Sequence, residues 1–245
     1  LEQLSWPEVE SAIKDGFTTA IVGAGAIEQH GPHLPLLVDA EHGKAISQLI
    51  AEKMGNALAA PTIRVGISEH HMAFSGTISV RESTFAAVCE DYVDSLARHG
   101  FTKICFVPTH GGNFGPLHKI KNQLQEVAGD RAKILLYAEI GDLLDMWRGV
   151  IEEISGLGSR VGGHADIAET SIISYLHPNW VQHGKAEVGY MPERNDDGSL
   201  NEIIKNGLKS VTANGILGDA RGATAEMGER CVEVFAAAAT KYFQD

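Results

Sequence analysis

The chain has 245 residues, enough for one large domain or two small ones around a substantial core. Its 44% hydrophobic and 21% charged content is that of an ordinary globular protein, not a disordered one. A net charge of −12 argues against non-specific binding to nucleic acid or anionic membranes, which needs basic patches. No apolar run approaches the roughly 20 residues that span a bilayer. The segment Leu1–Pro7 has neither the basic start nor the apolar core of a signal peptide. Cys89, Cys105 and Cys231 are odd in number and scattered through apolar stretches. They read as buried free thiols in a reducing compartment, and the cytoplasm is the expected location.

In chain order, Ser5-Trp-Pro-Glu opens a short helix, with Pro7 suited to its first turn. Thr18 to Ala24 is an unbroken apolar run that predicts a buried strand. A loop follows, then a helix over 40–54 with Asp39 where an N-cap would sit and Gly55 at the exit. A second apolar stretch spans 57–65, and a helix is expected over 83–98. The strand Lys103–Pro108 runs straight into Thr109-His110-Gly-Gly-Asn113, with a helix expected over 115–127. Further expectations are a strand over 132–138 and helices over 164–175, 199–209 and 223–243, with 190–198 as a long loop. Continuous apolar strands alternating with amphipathic helices imply one α/β domain, its mostly parallel sheet covered on both faces.

The loop after the first strand reads Glu28-Gln-His30-Gly-Pro-His33-Leu-Pro-Leu-Leu-Val-Asp39. Pro32 and Pro35 keep it out of a regular helix or central strand. In an open α/β sheet such a loop lies where ligands bind. Carboxylate oxygens and imidazole nitrogens suit Zn²⁺, Mn²⁺ or Fe²⁺, and the lack of thiolates argues against a closed structural zinc site. Asp39 suits a bridge between two ions. His110, at the end of a second strand, is a candidate ligand reaching the same sheet edge as Glu28. Glu169 is a weaker candidate on pattern alone, and His70 and His71 are candidate pocket-lining residues. His42, His99, His118, His177 and His183 read as ordinary core or surface histidines. Gly23-Ala-Gly25 invites a dinucleotide reading, but the third glycine is missing and Glu28 would repel a pyrophosphate. There is no phosphate loop, G-x-S-x-G elbow, H-E-x-x-H or C-x-x-C.

Glu28-Gln-His-Gly-Pro-His-Leu-Pro-Leu with Asp39 resembles the signature of the creatininase (creatinine amidohydrolase) family. Further similar segments are His70–Ser79, Thr109–Asn113, Gly163-His164 through Glu169-Thr-Ser, and Gly215–Glu226, in the family's order along essentially the whole chain. The resemblance implies a three-layer α/β/α fold, a dinuclear metal centre (zinc first, then manganese or iron) and hydrolysis of non-peptide C–N bonds in a small polar substrate. It also implies a homo-oligomer, commonly a hexamer. By the same resemblance Glu28 and His110 hold one ion, His30 holds the other, and Asp39 bridges them. Creatininase carries a metal-binding glutamate where this chain has Gly112, and Glu169 is nominated in its place. His164 matches a histidine near the substrate and is expected to shuttle a proton; His70, His71 and Asn113 are expected to contact the substrate. Arg160 and Gly163 stand where creatininase has tryptophan and glutamate. Deformylating and peptide-trimming relatives, or a non-catalytic small-molecule-binding member, are the alternatives.

Overall fold

The structure is a computed structural model that describes residues 1–137, 139–191, 202–203 and 205–245. Among these residues, four parallel strands lie in the order β2-β1-β3-β4: β1 (Thr19–Ala24), β2 (Ala57–Ala59), β3 (Lys103–Pro108) and β4 (Lys133–Leu136). β1 and β3 pair along their full lengths, from Thr19 opposite Lys103 to Ala24 opposite Pro108. Every residue of β1 is buried, as the apolar run predicts for a central parallel strand.

Helix α1 (Trp6–Lys14) begins with a capping box, in which Ser5 and Glu8 satisfy each other's end of the turn. Helices α3 (Glu82–Arg98) and α4 (Gly111–Ala128) pack on each other and on β3. Helices α2 (Val38–Met54), α5 (Ile140–Ser155) and α6 (Ile167–Leu176) pack on the last helix, α7 (Ala225–Gln244). The fold is a three-layer α/β/α arrangement. Phe85, Phe101, Phe106, Phe235 and Phe243 are fully buried between the layers, each worth roughly 1.5–3 kcal/mol of burial. A two-stranded antiparallel pair, β5 (Val161–His164) with β6 (Leu217–Gly218), lies apart from the main sheet. Among the described residues no helix is long and apolar enough to cross a membrane. Cys89, Cys105 and Cys231 are free and buried, and burial pushes each thiol up to about 12.

Several boundaries differ from expectation. Helix α2 starts at Val38, so Asp39 lies inside its first turn and Leu37 takes the cap position. Helix α4 starts directly after His110. The expected helix over 164–175 is instead the end of β5 followed by α6, whose N-cap Asp166 accepts from the N–H groups of Ala168 and Glu169. Helix α5 was not anticipated, although Leu143, Trp147, Val150 and Ile151 form its buried stripe. Of the helix expected over 199–209, residues 202–203 and 205–206 are helical and Leu208–Ser210 form a 3₁₀ turn; positions 199–201 and 204 lie outside the described residues. So does 192–198 of the expected long loop.

The glycines dismissed as a nucleotide motif have a packing task. A Cβ on Gly23 would lie 2.5 Å from the Gly43 carbonyl oxygen, and one on Gly25 2.5 Å from that of Asp39. Their absence of side chains lets the start of α2 press onto the end of β1. That contact brings Asp39 to the carboxyl edge of the sheet.

Candidate metal centre

The connections leaving β1 and β3 run to opposite sides of this strand order, which opens a crevice beyond their carboxyl ends. The loop after β1 carries Glu28 and His30 into that crevice, and the end of β3 delivers His110. Three bonds hold the segments in place. The Glu28 N–H donates to the Leu36 carbonyl (2.9 Å), the Thr109 N–H to Ala24 (3.0 Å), and the Thr109 hydroxyl to the Asp39 carbonyl (2.8 Å).

The ligand-type atoms meet there. Asp39 stands between two histidines, with Oδ1 3.3 Å from His30 Nε2 and Oδ2 3.4 Å from His110 Nδ1. Glu28 Oε1 lies 3.2 Å from His110 Nδ1, 3.4 Å from His71 Nε2 and 3.7 Å from His164 Nδ1. Glu169 Oε2 lies 3.6 Å from His30 Nε2 and accepts from the Ala165 N–H. Ala165 has φ +52°, a left-handed conformation that a residue with a Cβ seldom adopts. The three sets Glu28–His70–His110, His30–Asp39–Glu169 and Glu28–His30–His164 each gather ligand atoms within 4.8 Å of one another.

Hydrogen-bond partners orient the rings. His30 Nδ1 lies 3.1 Å from the Glu28 carbonyl, so its N–H donates there, and Nε2 is the nitrogen left facing the carboxylates, bare once the ring is neutral. His110 Nε2 lies 2.9 Å from the Ile67 carbonyl and 3.3 Å from Ser68 Oγ, so its N–H points to that side and Nδ1 faces Glu28 and Asp39, bare once the ring is neutral. Both oxygens of Glu28, Asp39 Oδ2 and His30 Nε2 are buried with no hydrogen-bond partner among the described residues. Buried polar atoms are rarely left so, and a cation between them resolves the deficit. The donor set fits a divalent ion.

The metal-free electrostatics show the same crowding. Burial works against the charged form of His30, but Asp39 and Glu169 outweigh it and raise its pKa to about 10. His110 is likewise raised, against burial, by Glu28 and Asp39. Burial would lift Glu28 and Asp39, yet the facing histidines hold both below the usual carboxylate range. Burial raises Glu169 to about 8, with Asp39 and Asp166 adding to it. His164 goes the other way, to about 3, through burial and the nearby His30.

The structure thus brings Glu28, His30, Asp39, His110 and Glu169 to one place, with His70, His71 and His164 around them. Asn113 is different. Its amide donates to the carbonyls of Ala24 (3.1 Å) and Gly25 (3.0 Å) and accepts from the Ile67 N–H (3.1 Å). These bonds tie α4 to β1, and they give no support to the expected substrate contact. Gln29, assigned nothing from the sequence, proves central, since its side chain reaches His71, His164 and Gly215. Its place between two candidate ligands was the signal available. His42 is a core histidine, as expected, set against Trp147 and Phe235.

The family model for creatininase, described as creatinine amidohydrolase, matches residues 2–243. The chain belongs to the creatininase family. Among curated relatives, the mycofactocin precursor peptide peptidase of Mycobacterium ulcerans is 28% identical over 90% of this chain and 82% of its own length. The creatinine amidohydrolase of Pseudomonas putida is 28% identical over 95% of this chain and 91% of its own. A crystal structure of creatinine amidohydrolase superposes with a TM-score of 0.79 at 25% identity, covering 100% of this chain and 98% of that one. Against the creatininase pattern, the glutamate replaced by Gly112 has no room here. A Cβ at 112 would overlap the Ile67 carbonyl oxygen and lie 2.5 Å from His110 Nε2.

Proposed function

We propose that this creatininase-family hydrolase is a metal-dependent amidohydrolase that cleaves a non-peptide C–N bond in a small polar substrate. In this reading Glu28 and His110 would hold one divalent ion and His30 and Glu169 a second, with Asp39, which faces both His30 and His110, shared between them. Zinc is the first choice, then manganese or iron, by the mixed nitrogen and oxygen donors. The observation that carries the proposal is the group of buried, unpartnered atoms on Glu28, His30 and Asp39. Glu169 supplies the carboxylate that position 112 cannot. When bound, such ions supply an acidified water and polarise the amide carbonyl.

The chain's own residues do the rest. Glu28, His30 and Asp39 are buried, so substrate charge would develop away from bulk water. His164 turns Nδ1 towards Glu28 and is the residue to take a proton from the attacking water and pass it to the leaving nitrogen. Creatinine is not singled out as the substrate. Gly163 has φ +100°, so a glutamate there would be strained, and Arg160 is engaged with Asp219 (3.4 Å) and the Arg221 carbonyl (2.8 Å). The likeness to the mycofactocin peptidase favours a second reading, trimming of a peptide, at the same metal site. Assembly as a homo-oligomer belongs to the same proposal, and sedimentation of the purified protein tests it.

The test is elemental mass spectrometry on protein purified without chelator or histidine tag, followed by a screen for water-dependent amine release. About two ions per chain is the expected result. Release from small amides supports the first reading, and release from peptides alone supports the second. No bound ion after addition of zinc, manganese or iron would overturn both.

A further inference from the structure

The Gln29 side chain sits among groups whose donors and acceptors can be counted. Its amide nitrogen lies 3.0 Å from His71 Nδ1, 3.0 Å from the Gly215 carbonyl and 2.9 Å from His164 Nε2. Its oxygen accepts from the Gly31 N–H at 2.9 Å. Its backbone carbonyl lies 2.9 Å from His164 Nε2. An amide has two hydrogens, so three acceptors cannot all be served.

One assignment satisfies every group. His164 donates its Nε2–H to the Gln29 backbone carbonyl, and the two amide hydrogens go to His71 Nδ1 and the Gly215 carbonyl. In the alternative, His164 Nε2 accepts from the amide. That strips the buried Gln29 carbonyl of its donor and leaves either His71 Nδ1 or Gly215 without one as well. Leaving two further buried polar groups unmet is what decides between the two. The seat is tight: Gly215 has φ +81°, and a Cβ there would overlap the Gln29 amide oxygen.

We infer that Gln29 is a positioning residue that fixes His71 as a hydrogen-bond donor into the centre, beside a His164 that presents a bare nitrogen. With Nδ1 accepting, neutral His71 carries its hydrogen on Nε2, the atom 3.4 Å from Glu28 Oε1. With Nε2–H committed, His164 turns a lone pair at Nδ1 towards the same oxygen, 3.7 Å away. The two rings are neighbours, their centroids 4.6 Å apart. A donor and an acceptor side by side match the two ends of an amide bond, carbonyl oxygen and leaving nitrogen. That consequence rests on the function proposed above; the ring assignment rests on the hydrogen bonds alone.

The test is long-range proton–nitrogen correlation on metal-free protein carrying ¹⁵N-histidine, with signals assigned through His71→Gln and His164→Gln. Wild-type protein is expected to show both rings as the neutral Nε2–H tautomer. In Gln29→Ala, His71 loses its single-tautomer pattern while His164 keeps it, because the partner of His164 is a backbone carbonyl. Gln29→Glu puts an acceptor opposite His71 Nδ1 and moves the hydrogen onto that atom. A wild-type His71 in the Nδ1–H form overturns the inference without any variant having to fold. So does a His71 pattern unchanged in both variants. A failure to bind metal would sink the proposed function and leave this result standing.

Discussion

Gly112→Ala probes how the centre depends on a residue with no side chain of its own. The added Cβ would overlap the Ile67 carbonyl oxygen and stand 2.5 Å from His110 Nε2 and 3.0 Å from His70 Cε1. Relief requires the Ile67 carbonyl to retreat by roughly 1 Å, enough to take its 2.9 Å bond with His110 past the ~3.5 Å limit of a hydrogen bond. His110 then loses the closer of its two Nε2 partners and keeps only Ser68 Oγ, at 3.3 Å, to aim Nδ1 at Glu28 and Asp39. Loss of such a supporting bond weakens metal binding by about 10–100-fold, or about 1.4–2.7 kcal/mol. Overpacking adds a stability cost of about 1–3 kcal/mol, a melting shift of roughly 2–12 °C in a chain of this size. Zinc affinity by chelator competition and thermal unfolding of the metal-free protein measure the two effects separately. Gly149→Ala is the control. Gly149 is exposed inside α5 with nothing within 4 Å of its added Cβ, so the change should stabilise by about 0.5–1 kcal/mol and leave zinc binding alone. A Gly112→Ala protein that binds zinc within about twofold of wild type and melts with it would refute the account of His110.

Asp39→Ala is expected to abolish tight metal binding while circular dichroism shows an intact fold; retained metal at wild-type stoichiometry counts against the bridging role. Glu169→Gln keeps the shape and an acceptor for the Ala165 N–H but removes the charge, so bound metal should fall towards about one ion per chain. Stoichiometry equal to wild type would remove Glu169 from the ligand set. His164→Ala should keep its metal yet lose most turnover on whichever substrate the screen finds, and unchanged turnover would end its assigned role. The pH dependence has a definite sign. His30 is raised to about 10 and Glu169 to about 8 in the metal-free protein. Their protonation therefore stabilises the metal-free fold at low pH. That contribution is lost as pH rises through those values. Metal must displace the same protons, so zinc affinity and zinc-induced stabilisation should both grow from about pH 6 to 9. A flat titration by calorimetry would contradict the assignment.

Much of this protein was legible from local pattern. The apolar runs at 18–24 and 103–108 announced buried parallel strands, because a strand covered on both faces has no polar side. Glu28, His30, Asp39 and His110 could be nominated because they follow those strands directly, where an open sheet presents its loops. Asp39 was misplaced by a little, at the cap instead of in the first turn, since an aspartate suits either position by composition. Helix α5 went unread although Leu143, Trp147, Val150 and Ile151 recur at helical spacing.

Other features depend on contacts between distant segments. Glu169 was a weaker candidate on pattern alone, nominated through the family resemblance, and only the packing of α6 against α2 and α7 sets it beside His30. Asn113 looked like a substrate contact, and only the approach of Ala24, Gly25 and Ile67 turns its amide to the backbone. Gln29 carried no signal beyond its neighbours until His71, His164 and Gly215 closed around it. The amino-acid order thus determined the elements and the donor atoms, because periodicity and turn chemistry act over a few residues. Which donors face one another was decided by the tertiary structure, where strand order and close glycine packing bring remote segments within bonding distance.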